Sequence, residues 1–401
     1  MKRQIILFIF AFFAIISSLS AQMTVSGILD STVSMQAGAG DAPDFSSGFE
    51  EYANIRFQSK IRDRAAVFGA VNLIAATGNY AANSAVLAGV GTGSPFNSTS
   101  YIYGENYIAG IELERLYFRL SGKSVNFDGG LMRLPFGYGQ VFGPSDFLNP
   151  RNPLKPDARP RAILGTAFFW YPTEETKLLI FYSAPRDPFM QKGDGSFFGL
   201  SFDKHWNKAS IQTLYCFETP NTNSDYGIHR AGLSVKADIE IGLYIDALYT
   251  YNYEAETKLD GLSFSAGADY SFFDGNLIIL AEYLYNGENS STAPGNGGSF
   301  SYNNYLYTSL TFRFNDYTNL SAALISGLDD ISFTPIITLN HDLFQGSALI
   351  ITAQAPLDRD LFYGDGRRGE LGPVPPDELQ PLLPMRMGRY FDFSAKIRLR
   401  F

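Results

Sequence analysis

From residue 23 to residue 401 the chain repeats one short pattern: apolar and polar side chains alternate over stretches of about ten residues, the signature of strands with one greasy and one wet face. Between 239 and 252, Ile239, Ile241, Leu243, Ile245, Ala247, Tyr249 and Tyr251 share a face. Glu240, Gly242, Tyr244, Asp246, Leu248, Thr250 and Asn252 share the other. At the end of the chain Phe391, Phe393, Ala395, Ile397, Leu399 and Phe401 alternate with Tyr390, Asp392, Ser394, Lys396, Arg398 and Arg400. Residues 49–60 follow suit, with Glu51 as an exception at the segment's end. Along 107–121 the phase changes, from Ile111 and Leu113 to Leu116, Phe118 and Leu120. A β-bulge near Glu114–Arg115 would keep one face apolar throughout.

The pattern predicts eighteen strands, with sixteen as the alternative, near 23–35, 49–60, 65–75, 107–121, 124–134, 162–171, 176–184, 196–204, 207–217, 226–237, 239–252, 260–272, 275–286, 303–314, 317–327, 331–339, 345–355 and 390–401. After the first strand the connectors alternate long and short. Tight turns on one side and long loops on the other describe an all-β, up-and-down antiparallel barrel that crosses a membrane. A closed barrel leaves no unpaired strand edge in lipid. A secreted sandwich or propeller also alternates, but neither accounts for the connector lengths or for aromatic strand ends such as Tyr249, Tyr251, Tyr283 and Tyr285.

Composition narrows the field. Only 18% of the residues are charged, against roughly 25% for a soluble domain, yet no uncharged run supports a bundle of membrane helices. A net charge of −9 argues against nucleic acid as a partner, and the single Cys216 excludes a disulfide framework. Lys2 and Arg3 precede the apolar run 5–16, and the small residues Ser17, Ser18, Ser20 and Ala21 follow it. This reads as a secretory signal over 1–21. The barrel then occupies 22–401, with long external loops at 76–106, 135–161, 287–302 and 356–389.

The terminal RYFDFSAKIRLRF, Tyr390 to Phe401 after Arg389, resembles the C-terminal strand of bacterial outer-membrane proteins, which ends in Phe after alternating apolar residues. That resemblance implies the outer membrane of a diderm bacterium, contact with lipid and lipopolysaccharide, and recognition of this strand by the barrel assembly machinery. A second stretch, Gly130-Leu-Met-Arg-Leu-Pro-Phe-Gly-Tyr-Gly-Gln followed by Ser145-Asp-Phe-Leu-Asn-Pro-Arg-Asn-Pro, resembles a segment of porin-like and alginate-export-like barrels. There a strand with glycine and arginine leads into an Asp-x-x-Asn-Pro element, here Asp146, Asn149 and Pro150. The Trp-Gly pair common in those barrels is missing.

Eighteen strands enclose a lumen wide enough for water. Its inward rows would carry Glu50, Arg56, Lys60, Glu112, Arg115, Arg119, Asp128, Arg230, Lys236, Glu240, Asp246, Asp269, Glu282, Arg313, Asp392, Lys396 and Arg398, mixed in sign. Most are expected to be plain solvated wall, because a dry core could not hold so many charges. Loop 136–161 is stiffened by five prolines, and Arg151, Lys155, Arg159 and Arg161 outweigh Asp146 and Asp157 by +2. Folded inward, it would narrow the pore and favour anions; lying outside, it would be rim. The pore-lining or constriction candidates are Arg151, Lys155, Arg159, Arg161, Asp146, Arg115, Arg119, Arg230, Glu240, Asp246 and Arg313.

No catalytic constellation emerges. His205 and His341 fall in expected turns, and His229 lies on a lipid-facing row without a neighbouring serine. Asp358, Asp360 and Asp365 lack the spacing of a calcium loop, and nothing in the sequence requires a cofactor or metal. The expectation is a passive channel for small hydrophilic or anionic solutes, monomeric or a homotrimer. The alternatives are a transporter of hydrophobic compounds of the fatty-acid type, suggested by Ile278, Leu280 and Leu284, and a surface adhesin.

Overall fold

The computed structural model describes residues 22–38, 45–61, 64–78, 99–104, 106–149, 160, 162–185, 195–220, 226–251, 261–287, 303–329, 332–355 and 390–401. These form β1 (Gln22–Gly38), β2 (Phe45–Ile61), β3 (Ala65–Gly78), β4 (Thr99–Gly104), β5 (Tyr107–Ser121), β6 (Val125–Met132), β7 (Ile163–Thr173), β8 (Thr176–Ser183), β9 (Phe197–His205), β10 (Ala209–Glu218), β11 (Ile228–Asp238), β12 (Gly242–Tyr251), β13 (Leu262–Phe272), β14 (Leu277–Asn286), β15 (Asn304–Asn315), β16 (Thr318–Gly327), β17 (Ser332–Phe344), β18 (Ser347–Gln354) and β19 (Tyr390–Arg400). All pairing is antiparallel, between chain neighbours except that β3 pairs with β5 past β4, and β1 against β19 closes the ring.

The ring itself has eighteen strands, as the alternation predicts. The additional β4 pairs only with the loop-end part of β5, Tyr107 to Glu112, while β6 pairs with Leu116 to Ser121 on the same edge. The sequence reading missed β4 and placed it within a long loop. Every turn at one end of the barrel has two to four residues, and the connections at the other end run as long as 355–389. These ends are called the turn end and the loop end below. Gly346, with φ +80, lets the two-residue turn before β18 adopt a left-handed backbone that other residues resist.

The expected bulge is present. Val71 faces Leu113 and Ala70 faces Arg115, so Glu114 is the extra residue. The insertion keeps Ile111, Leu113, Leu116, Phe118 and Leu120 on the outward face. Glu51 differs from expectation. Because β2 begins at Phe45, Glu51 lies within the outward row, between Phe45 and Phe49 on one side and Ala53 and Ile55 on the other. Its carboxylate accepts a hydrogen bond from Ser31 Oγ at 2.9 Å.

Outward side chains are apolar and exposed along the wall, including Ile180, Leu200, Leu233, Ile245, Ile337 and Ile397. Aromatic residues rim both ends: Trp170, Trp206, Phe272, Phe314, Phe344 and Phe401 at the turn end, and Phe45, Tyr107, Tyr226, Tyr251 and Phe391 at the loop end. An apolar band between two aromatic girdles is the surface a barrel presents to a bilayer.

Candidate functional site

After β6 the chain enters the barrel. Pro135, Gly137, Gly139, Gly143 and Pro144 deny residues 133–149 a helix or a strand. The segment is instead clipped to itself. Asp146 Oδ1 accepts from the Phe136 amide at 3.3 Å, Asn149 Oδ1 accepts from the Leu134 amide at 2.7 Å, and the Asn149 amide donates to the Asp146 carbonyl at 3.1 Å. Asp146 and Asn149, the residues that carry the porin-like resemblance, are both buried and act as this clip.

Four wall strands, β10 and β12 to β14, then hold it, and β11 braces one of the anchors. The Gly137 amide donates to Gln212 Oε1 on β10 at 2.6 Å, and Ser145 Oγ to the Ala247 carbonyl on β12 at 3.2 Å. Asp246 on β12 accepts from the Ser145 amide at 3.3 Å and from Ser234 Oγ on β11 at 2.6 Å. Gln140 Nε2 reaches Asp269 on β13 at 2.7 Å. Glu282 on β14 accepts from the successive amides of Val141 and Phe142, at 2.8 and 3.0 Å, and from Tyr244 Oη at 2.8 Å. Each carboxylate thus meets donors that the irregular backbone would otherwise leave unsatisfied. Gly137 has φ +81, and a Cβ there would run into the Asp246 carboxylate, so both conformation and space demand glycine.

The segment's apolar side chains fill one side of the interior. Leu134, Phe136, Phe147 and Leu148 pack with Met132, Ile163, Leu179, Phe181, Phe197, Leu214, Cys216 and Leu248. Phe142 packs with Leu284, Tyr305 and Ile325, and Val141, Tyr307 and Ile336 pack against that cluster. The interior is therefore not solvated throughout, which corrects the expectation from charge alone: apolar clusters cover the wall around the segment. Fully burying one such side chain contributes roughly 1.5–3 kcal/mol. Tyr138 sits in this layer, where burial and the negative charge of Asp203 push its phenol up to about 12.

Beyond this cluster the lumen carries ion pairs of a consistent build. Arg119 pairs with Asp128 through two hydrogen bonds of 2.7 Å, Arg133 with Glu114 at 2.9 Å, Lys177 with Asp203 at 3.0 Å, and Arg398 with Asp30 at 2.7 and 2.8 Å. Arg115 lies 3.4 Å from Glu114 and Lys396 3.8 Å from Asp30. In all six the cation is the more exposed partner: the carboxylates are 3–6% exposed and the cations 14–38%. Negative charge is recessed and positive charge faces the open space.

No family model matches the chain, and no curated protein matches it either. Solved structures do. OccAB4 of Acinetobacter baumannii superposes with a TM-score of 0.54 at 11% identity, covering 95% of this chain and 98% of that one. OccK7 (OpdD) of Pseudomonas aeruginosa gives 0.52 at 9% identity, over 95% and 99% of the two chains, and OpdQ of the same organism the same figures. The chain shares the fold of these proteins, a closed antiparallel β-barrel.

Within this fold the residues singled out from sequence do not form one site. Asp146 clips the segment and Asp246 anchors it. Arg115 and Arg119 face the uncovered lumen. Arg230 is buried, paired with Glu218 at 2.7 Å, with the Phe147 and Phe197 rings 5.1 and 5.5 Å from its guanidinium carbon. Glu240 is not on the wall: β12 begins at Gly242, and Glu240 lies exposed in the preceding turn. Arg313 is exposed near the turn end of β15, where the register shifts. Arg151, Lys155, Arg159 and Arg161 lie outside the described residues. His341 falls within β17 rather than in a turn, hydrogen-bonded to Thr318 at 2.9 Å, and His229 pairs with Tyr215 Oη at 2.7 Å on the outward face. Sequence reasoning missed the anchoring roles of Gln212 and Glu282. Their inward phase was readable, but nothing local distinguishes a wall carboxylate that meets water from one that meets a folded-in amide.

Proposed function

We propose that the protein is an outer-membrane channel for the passive diffusion of small hydrophilic solutes, with a preference for anions. The observation that carries this reading is the recessed carboxylate in the six lumen ion pairs described above. An ion in transit meets guanidinium and ammonium groups first, and the attraction acts over the Debye length of about 8–10 Å at physiological salt. The segment 133–149 narrows the passage on the opposite side. The fatty-acid-type reading loses support, because Leu284 and the other apolar wall groups beside the segment are covered by Phe142 and Phe147.

Planar-bilayer recording across a salt gradient tests this. Stepwise conductance with a reversal potential of the sign that anion permeation gives is the expected result. A cation-selective conductance would remove the anion preference, and silence from a correctly folded sample would remove the channel itself.

A further inference from the structure

On the uncovered wall the register lines up hydroxyl side chains across six successive strands. Thr311 on β15 faces Ser321 on β16, which faces Thr338 on β17, then Thr352 on β18, Ser394 on β19 and Ser34 on β1. All six lie in the inward phase, fixed by buried Ile325 and Glu282 in the neighbouring rows. Thr311 and Ser321 bond to each other at 2.9 Å, and Thr338 and Thr352 at 3.3 Å. The ladder begins one inward row beyond Ile336, which packs against the cluster that Phe142 of the folded-in segment joins, so it is the next surface past the narrowing. The row beyond it, toward the turn end, holds Arg313, Asn319, Asn340, Lys396 and Thr32, and the Thr32 hydroxyl is buried without a hydrogen-bond partner. Across these six strands neither row contains a carboxylate; the next position of the second row, on β2, is Glu50, which faces Thr32.

We infer that this ladder is a binding track for polyhydroxylated anions, chiefly sugar-acid-like solutes; the inference rests on the channel reading above. A hydroxyl both donates and accepts, so the five half-buried rungs from Thr311 to Ser394 can exchange bonds with a solute hydroxyl without leaving either group unsatisfied, while Ser34 is buried and ends the track. Neighbouring strands place the rungs about 4.8 Å apart, so a solute releases one as it engages the next. Several equivalent weak sites favour entry without trapping. Lys396 and Arg313 supply the charge for the anionic end.

Liposome swelling with three six-carbon solutes separates the contributions: glucarate carries hydroxyls and charge, adipate charge alone, and sorbitol hydroxyls alone. Glucarate is expected to enter about fivefold faster than either, the equivalent of one net hydrogen bond of ~1 kcal/mol. The variant Ser321→Ala, Thr338→Val, Thr352→Val, Ser394→Ala should reduce the glucarate-to-adipate ratio to about one. Thr308→Val, on the outward face of β15, should leave that ratio as it is. Heat-modifiable electrophoretic mobility reports that each variant folds. A wild-type ratio of one, or a ratio unaltered in the ladder variant, overturns the track alone. Entry of none of the three solutes overturns both track and channel.

Discussion

Glu282 receives two consecutive backbone amides and a phenol, and among the described residues no cation pairs with it. Its charge is balanced by oriented dipoles alone, so removing the acceptor strands three donors, each costing about 1–3 kcal/mol when buried. Glu282→Ala should therefore loosen the segment and enlarge the single-channel conductance. Glu282→Gln, which keeps one acceptor oxygen, should fall between the two. Recordings of identical conductance from Glu282→Ala and wild type would show that the carboxylate does not hold the passage narrow. Tyr138 makes a complementary prediction. Its folded-state pKa is raised from 10 to about 12, so docking favours the neutral phenol. That stabilisation is complete below pH 10 and fades as the pH climbs toward 12. Conductance should rise reversibly over this window, and Tyr138→Phe should abolish the part of the rise that belongs to the segment.

At the scale of elements, the outward row of β2 contains a misfit. Glu51 sits between apolar neighbours, with the Ser31 hydroxyl as its partner across the strand pair. A carboxylate on a lipid face is unfavourable, though less so than a cation. Glu51→Leu should stabilise the barrel in urea titrations, by roughly 1 kcal/mol given the cost of burying a polar group; a destabilised variant would mean that Glu51 serves a contact this wall needs. The same strand shows what the sequence makes legible. Strict alternation placed all eighteen ring strands, and the phase change at Glu114 located the bulge, because both leave period-two traces. The six residues of β4 leave almost none, since they pair on one edge only and are too short to alternate convincingly. Glu51 looked like a strand end because Ser46, Ser47 and Gly48 blur the pattern beyond it. The site was less legible than the wall. Alternation says that Asp246, Glu282 and Arg230 point inward, but whether each meets water, an amide or a counter-ion depends on where residues 133–149 travel, and that path is set by contacts more than sixty residues away in sequence.

For the whole molecule the decisive contact is the seam. An eighteen-strand sheet escapes the hazard of open edges only if its first and last strands meet, and here they do so over eleven residue pairs, from Ile28 with Arg400 to Gly38 with Tyr390. The turn-end limit of the seam is a reciprocal pair of backbone bonds: the Gly27 amide donates to the Phe401 carbonyl at 2.7 Å, and the Phe401 amide to the Gly27 carbonyl at 3.2 Å. The Phe401 ring lies across Gly27 so closely that a Cβ at position 27 would collide with it and with the Asn54 carbonyl. Gly27 is thus a socket for the terminal aromatic, which explains in packing terms why the last residue of this chain is best a flat ring. Gly27→Val should expel that ring and fray the seam without touching the lumen. The closed form should form more slowly and melt at lower temperature on semi-native gels, while the molecules that do close keep wild-type conductance. Phe401→Ala should weaken the same seam from the other side. Because both changes remove one contact, the double variant should be no worse than the more severe single one. Additive losses would mean that glycine and ring act separately, and that closure depends on the backbone pairing alone.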